Sequence, residues 1–414
     1  MKRKLRVRLP GHQVGTLEQE LDGRVHWNPV AAWERAGQRP RLGIDFLREP
    51  GPRRSERGLL PWFENLLPEE GGELRRRLCA LFDLREGQSF LLLKALGSDL
   101  PGAVELIGDE DKDEQLSPTL SVDDHDAHPE LVGHFSSLAG MQLKFTMSML
   151  NERLSLPAQS GAEQWIVKLP GEQYPDLPKV EAVTMSWARA AGFNVPDHRV
   201  VNVDQLTGLP SSWIGDLTEV FAVRRFDRRA DGSKVHQEDF CQALSLPPRH
   251  RFGDTNPRVS FDGILRFVVD VSGEGQGREF ARRLGFMLAC GNDDAHLKNW
   301  SFIWGEGSHP TLSPCYDLVS TVAWTRFGWS ERRGPTLALG LGGARHFAQV
   351  GEAVLKAFSE RSQQTWAGEE VTNGVLMAKT SWPQVRADAP SAMHTALSTH
   401  WQRVPLLKAL GLGE

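Results

Sequence analysis

Tyrosine is nearly missing from this chain of 414 residues, which has 2 Tyr against 13 Trp and 19 Phe. Cysteine is scarce as well. Cys79, Cys241, Cys290 and Cys315 stand far apart, with no C-x-x-C pair. That spacing excludes a disulfide framework and a zinc ribbon. No run of 18 apolar residues exists, so no membrane-spanning helix is expected. There is no basic excess: Lys and Arg total 48, Asp and Glu 53, and the formal net charge is −5. A chain that coats nucleic acid would show the opposite balance. The start, MKRKLRVRLPGHQVG, is basic, but no apolar run follows it, so no signal peptide is expected. H-E-x-x-H, G-x-S-x-G and G-x-x-x-x-G-K-[ST] strings are also lacking. What these absences leave is a multi-lobed globular protein of a reducing compartment, the cytoplasm. At about 150 residues per domain, its length suggests two to three domains.

The organisation reads as four segments. Residues 1–108 form an N-terminal subdomain. It opens on a strand (Leu5, Val7, Leu9 alternate) and continues into helical spacing over Leu59–Leu84. Residues 109–130 carry nine acids against the lone Lys112 and read as a solvated linker, or else as an acidic docking segment for a basic partner. Residues 131–232 hold short strands at Met141–Met149, Trp165–Leu169 and Val220–Arg225. Between the last two lies the helix Val180–Gly192, which stops at its Gly. Residues 233–414 are mostly helical, with apolar three/four spacing at Phe261–Val271 and Arg278–Cys290 among others. Gly273–Gly277 reads as a loop entering the second of these. The fold class expected is α+β, with a strand-rich lobe followed by a helical lobe.

The densest polar cluster is Gly291–Trp300, GNDDAHLKNW, which leaves an apolar helix. Asp and Asn suit a turn or a cap. The spacing also suits chemistry. Asp294 precedes Asn299 by five residues with Lys298 between them, as the base and the metal-binding amide stand in a kinase catalytic loop. Asp317 lies 23 residues past Asp294, in the apolar run Pro314–Leu318. A phosphotransferase needs a second metal ligand there, and Phe302–Trp304 with Thr311–Pro314 supplies the intervening hairpin. A strand-end Asp capping a helix is the plainer alternative. Upstream, Phe135–Lys144 (FSSLAGMQLK) is small and flexible, which lets backbone N–H groups approach phosphates. Lys168 interrupts an apolar strand and needs an anion, a phosphate or Glu181 on the next helix, unless it snorkels at an edge. Flexible loop, strand Lys, helix Glu, D-x₄-N and metal Asp occur in kinase order. The reading is an ATP-dependent phosphotransferase.

The residues also resemble a known family, the HipA toxin kinases of bacterial type II toxin–antitoxin modules. The likeness is carried by Phe63–Glu69 (FENLLPE), Leu100–Val104 (LPGAV), Ser137–Lys144 (SLAGMQLK), Val223–Arg228 (VRRFDR), His236–Gln242 (HQEDFCQ), Asp294–Asn299 (DAHLKN) and Tyr316–Leu318 (YDL). It runs through nearly the whole chain and implies a bilobal, protein-kinase-like fold with an extra N-terminal subdomain. It implies that Asp294 is the catalytic base, and that Asn299 and Asp317 hold Mg²⁺. It implies that Lys168, oriented by Glu181, binds the ATP phosphates. Ala139, Gly140, Met141, Gln142, Leu143 and Lys144 would cover them. Arg224, Arg225 and Phe226 would meet adenine through their backbone. His296 and Lys298 would lie near the γ-phosphate, and Tyr316 beside the nucleotide. Ser137, or its neighbour Ser136, would be autophosphorylated, silencing the kinase. The family often has Glu where this chain has Arg224, which sets two cations side by side. The implied partners are a small helix-turn-helix, HipB-like antitoxin, operator DNA reached through it, and a protein substrate of the aminoacyl-tRNA synthetase class. A lipid or small-molecule kinase, a nucleotide-binding pseudokinase acting as an interaction module, and a co-repressor are the alternatives.

Overall fold

A computed structural model describes residues 2–35, 41–97, 99–108, 143–150, 152–156, 163–171, 174, 176–209, 211–253, 259–305, 309–324 and 335–413. The acidic segment 109–130 and the loop residues Ser136, Ser137, Ala139, Gly140, Met141 and Gln142 lie outside the described residues. The chain divides into two compact units, residues 1–173 with 201–249, and residues 174–200 with 250–414.

The first unit begins with an antiparallel sheet. Its strands β1 Arg3–Leu9, β2 His12–Gln19, β3 Val25–Pro29, β4 Arg53–Ser55 and β5 Glu105–Gly108 take the order β4-β3-β2-β1-β5. Period-two alternation buries Leu5, Val7, Leu9, Leu17, Val25 and Trp27 on one face. The second sheet comprises β6 Leu143–Leu150, β7 Arg153–Ser155, β8 Glu163–Leu169, β9 His198–Asn202, β10 Leu206–Thr207 and β11 Glu219–Arg224. It runs β10-β7-β6-β8-β11, with β9, the strand through which the chain re-enters, on its far edge. One continuous apolar core, from Leu5 to Ala222, serves both sheets. The expected helix over Leu59–Leu84 is instead two, Pro61–Glu64 and Glu73–Leu81. The break spans residues 65–72, which include Pro68, whose ring cannot donate to a helix, and Gly71 at φ +80°.

The HQEDF segment, His236–Asp239 of β12 followed by Phe240, belongs to this unit rather than to the helical one. Glu238 is fully buried, and its carboxylate accepts from the Ile44 N–H at 2.9 Å and from Trp62 Nε1 at 3.2 Å. His236 donates to the Leu42 carbonyl at 2.8 Å, and burial pushes its pKa down to about 4. Asp239 caps the short helix that follows, accepting from the Gln242 N–H at 2.8 Å. Gln242 in turn donates to the Trp62 carbonyl at 3.1 Å. These polar contacts clamp residues 1–108 onto the body of the unit. One junction between the two compact units falls at 249/250.

The second unit is helical. The helix Glu274–Cys290 crosses the helix Ala367–Val385 backbone to backbone. A Cβ on Gly285 would stand 2.1 Å from the Val371 carbonyl oxygen, and one on Gly374 would stand 1.9 Å from that of Arg282. Gly277, expected in an entry loop, lies inside the helix, where a Cβ would stand 2.4 Å from Val269 Cγ2. The helix Leu177–Ala190 packs here as well, its Trp187 indole donating to the Ala378 carbonyl at 2.9 Å and meeting Trp382 at 4.6 Å between ring centroids. The Trp-rich composition has its use here. Indoles fill the core and donate to backbone carbonyls, as Trp401 does to Ala289 at 2.8 Å. Among the described residues no helix is long and apolar enough to cross a membrane.

Candidate active site

The second unit carries the D-x₄-N loop. Helix Glu274–Cys290 ends at Gly291, whose φ of +64° turns the chain out of the helix. A Cβ there would stand 2.5 Å from Val322 Cγ1, so the segment 320–322 lies directly against the turn. Ser320 Oγ donates to the Cys290 carbonyl at 2.7 Å, and Thr321 Oγ1 donates to that of Gly291 at 3.0 Å. Thr321 Oγ1 also accepts from the Asp293 N–H at 2.8 Å. Asn292 Oδ1 accepts from the Asp294 N–H at 3.0 Å. The motif reading passed over Asn292, Ser320 and Thr321. The signal was the Asn two residues before the Asp, the spacing of a local Asx turn.

Beyond this turn the loop folds on itself. The Asp294 carbonyl accepts from the His296 N–H at 2.7 Å and from Asn299 Nδ2 at 2.8 Å. Asn299 therefore spends its amide donor on the loop, and its Oδ1 is an acceptor. The Asp294 side chain is 56 % exposed. His296 is buried against Phe252, with ring centroids 5.0 Å apart, and its Nδ1 has no partner. Burial first, then the neighbouring Arg251 cation, pushes its pKa down to about 3, so it is neutral at physiological pH. At 4.0 Å from Asp294 Oδ1 its Nε2 makes no hydrogen bond. Lys298 is buried, and its carbonyl accepts from the Tyr316 hydroxyl at 2.9 Å. Asp317 has φ +52°, one of five non-glycine residues with positive φ among those described. Aspartate is among the few non-glycine residues that tolerate this left-handed conformation.

The loop, Tyr316 and Asp317 fit a divalent cation of the Mg²⁺ type. Such ions take a few protein oxygens and leave the rest to phosphates and water. An amide oxygen and a carboxylate are that donor set. Among the described residues no group of three or more His, Cys, Asp or Glu could form a closed metal cage. Glu181 is buried in the helix Leu177–Ala190 of this same unit.

The first unit carries the other expected site residues. Lys144 and Lys168 stand directly opposite each other on β6 and β8, both buried. Leu143, beside Lys144, opposes Leu169, and Lys168 Nζ lies 5.4 Å from the Phe221 ring centroid. Arg224 is not crowded by Arg225. It pairs with Glu163 at 3.1 Å, while Arg225 turns inward. Arg225 is held bidentately by Asp227 at 2.9 Å through each oxygen, and reaches Asp99 at 2.9 Å. Arg228 joins the same two carboxylates. Burial alone would raise the pKa of Asp227, but the two guanidinium groups outweigh it and hold the carboxyl well below the usual range. The Arg225 N–H is bonded to the Gln164 carbonyl at 2.8 Å. Phe226 follows, half-buried.

Two family models match this chain: a HipA N-terminal domain over residues 5–107 and a HipA-like C-terminal domain over residues 136–382. The chain belongs to the HipA family. A putative kinase of Sinorhizobium fredii is 37 % identical over 329 residues, 77 % of each chain. The serine/threonine-protein kinase toxin HipA of Shewanella oneidensis is 28 % identical over 296 residues, 64 % of this chain and 63 % of that one. A solved complex of HipA, HipB and operator DNA from the same organism contains a chain with the same fold, at TM-score 0.69 and 20 % identity, covering 97 % of this chain and 95 % of that one. The α+β, kinase-like fold expected from sequence is thus the fold observed, and the chain is a HipA-family kinase.

Proposed function

We propose that this HipA-family kinase is an ATP- and Mg²⁺-dependent serine/threonine protein kinase, the toxin of a cytoplasmic type II toxin–antitoxin module. The observation that carries the reading is the loop closure in which Asn299 Nδ2 bonds the Asp294 carbonyl, setting an exposed carboxylate and an amide oxygen on one rigid turn. Phosphoryl transfer asks a protein chiefly for position and charge neutralisation. Asp294 accepts the proton of the substrate hydroxyl. Asn299 and Asp317 hold the divalent cation, which when bound neutralises charge on the phosphates. By the family resemblance, Lys168 is assigned to the ATP phosphates and Glu181 to its orientation; Lys144 stands opposite Lys168 on the neighbouring strand. The loop Ala139–Lys144 covers the phosphates, and the backbone of Arg224–Phe226 receives adenine. His296, neutral and buried, packs the loop from behind, with Lys298 beside the γ-phosphate.

The substrate we propose is a component of translation, of the aminoacyl-tRNA synthetase class, with autophosphorylation at Ser137 or its neighbour Ser136. The partner is a small helix-turn-helix antitoxin that carries the complex to operator DNA, a proposal supported by the likeness to a chain solved in such a complex. Incubation of the full chain with Mg-ATP, followed by mass spectrometry, tests the reading. Phosphate on Ser137 or Ser136 is expected, and none is expected with Asp294→Ala. Transfer undiminished in that variant would overturn the assignment of the base.

A further inference from the structure

Asn299 and Asp317 come from separate segments, and a cation shared between them needs their spacing fixed. Each is preceded by a residue of one small network. Tyr316, next to Asp317, donates its hydroxyl to the carbonyl of Lys298, next to Asn299, at 2.9 Å. With that proton so placed, Ser301 is the donor in the 2.5 Å contact between its Oγ and the phenol oxygen. Ser301 opens the strand β13 Ser301–Trp304, and its carbonyl accepts from the Ser313 N–H at 2.8 Å, closing the turn that leads to Tyr316. On the other side, the Cys315 N–H is anchored to the Asn194 carbonyl at 2.8 Å. Asp317 itself holds a left-handed backbone, which persists only where neighbours enforce it.

The choice of side chain is informative. This chain uses Phe nineteen times and Tyr twice. Phe would fill the same volume, and the hydroxyl is what it would lack. Resting on the kinase reading above, we propose that Tyr316 is a positioning residue for the divalent cation. Its hydroxyl ties the residue before one metal ligand to the residue before the other. Cation affinity depends on it, and metal-free nucleotide affinity does not. A phenol that merely stabilised the fold would leave both affinities alone.

The test uses the full chain, a non-hydrolysable ATP analogue and Mn²⁺ as the probe, free Mn²⁺ being read by electron paramagnetic resonance. Tyr316→Phe is expected to weaken Mn²⁺ binding about five- to tenfold, the scale of one lost buried hydrogen bond. Metal-free binding of the analogue is read on Ser301→Ala, whose hydroxyl bonds the phenol, and should stay within about twofold of the original chain. In Mn²⁺ affinity Ser301→Ala, which removes one of the two partners, should fall between Tyr316→Phe and the original chain. Unchanged Mn²⁺ affinity in Tyr316→Phe overturns the proposal alone. Should that variant not fold, unchanged affinity in Ser301→Ala does the same. If the original chain binds neither Mn²⁺ nor the analogue, the kinase reading falls and takes this inference with it.

Discussion

The side-chain amide of Asn299 donates to the main-chain carbonyl of Asp294 at 2.8 Å, so the residue proposed to hold metal also shapes the loop that presents the base. Asn can do both because it carries a donor and an acceptor on one short stem. An aspartate in its place would keep an oxygen ligand and lose the donor. Asn299→Asp should therefore retain cation binding but lose on the order of tenfold or more in phosphorylation rate, as one loop-closing hydrogen bond is replaced by repulsion. Parallel Mn²⁺ titration and initial-rate measurement check this. Equal losses in both would show that closure of the loop does not matter separately.

Asp294→Ala removes a carboxylate that is largely exposed. Thermal melting should stay within a few degrees. Phosphorylation should fall at least about 100-fold, the usual contribution of a positioned base. A calorimetric melt beside a radiolabel assay decides the matter.

Asp227 lies between two buried guanidinium groups, those of Arg225 and Arg228. Asp227→Ala would leave both cations without their main partner. We expect a loss of about 3–5 kcal/mol, the scale for breaking a buried pair from one side. Urea denaturation of the variant should show the first unit's transition at clearly lower denaturant. A midpoint equal to that of the original chain would mean the pair is matched by solvent.

Three histidines are buried neutral: His236 with its pKa near 4, His296 near 3 and His400 near 4, each lowered chiefly by burial. Their ordinary value is 6.5. Between that value and the lowered ones the unfolded chain binds more protons than the folded one. Stability is thus greatest above about pH 6.5 and falls as the pH drops toward 4, by up to about 1.4 kcal/mol per pH unit for each group. His400 donates to the Leu288 carbonyl at 2.8 Å, a bond that Gln can also make. His400→Gln should show a shallower fall in melting temperature from pH 6.5 to 4.5. Parallel curves for the two proteins would exclude His400 from the effect.

The loop 291–300 was legible as a polar turn leaving an apolar helix because its signals are local. A Gly marked the end of the helix before Phe193. Lys168 was expected in an apolar strand, and it lies buried in β8. What sequence could not show was where a motif's partners lie. HQEDF reads like a site, with a His and two acids, yet Glu238 faces Ile44 and Trp62, nearly two hundred residues upstream. Gly277 reads as part of a loop entering a helix. It sits within the helix, where the Val269 side chain presses close. The split of Leu59–Leu84 was hidden because apolar spacing continues through Gly71 by chance.

The clamp formed by His236, Glu238 and Gln242 separates ancestry from activity. These side chains bind the N-terminal subdomain, and they belong to the unit that does not carry Asp294, Asn299 and Asp317. A gene can therefore lose its Asp294 and keep HQEDF intact, so that string reports architecture and says nothing of turnover. The string is thus a mark of how the N-terminal subdomain is attached, a property of assembly and not of chemistry.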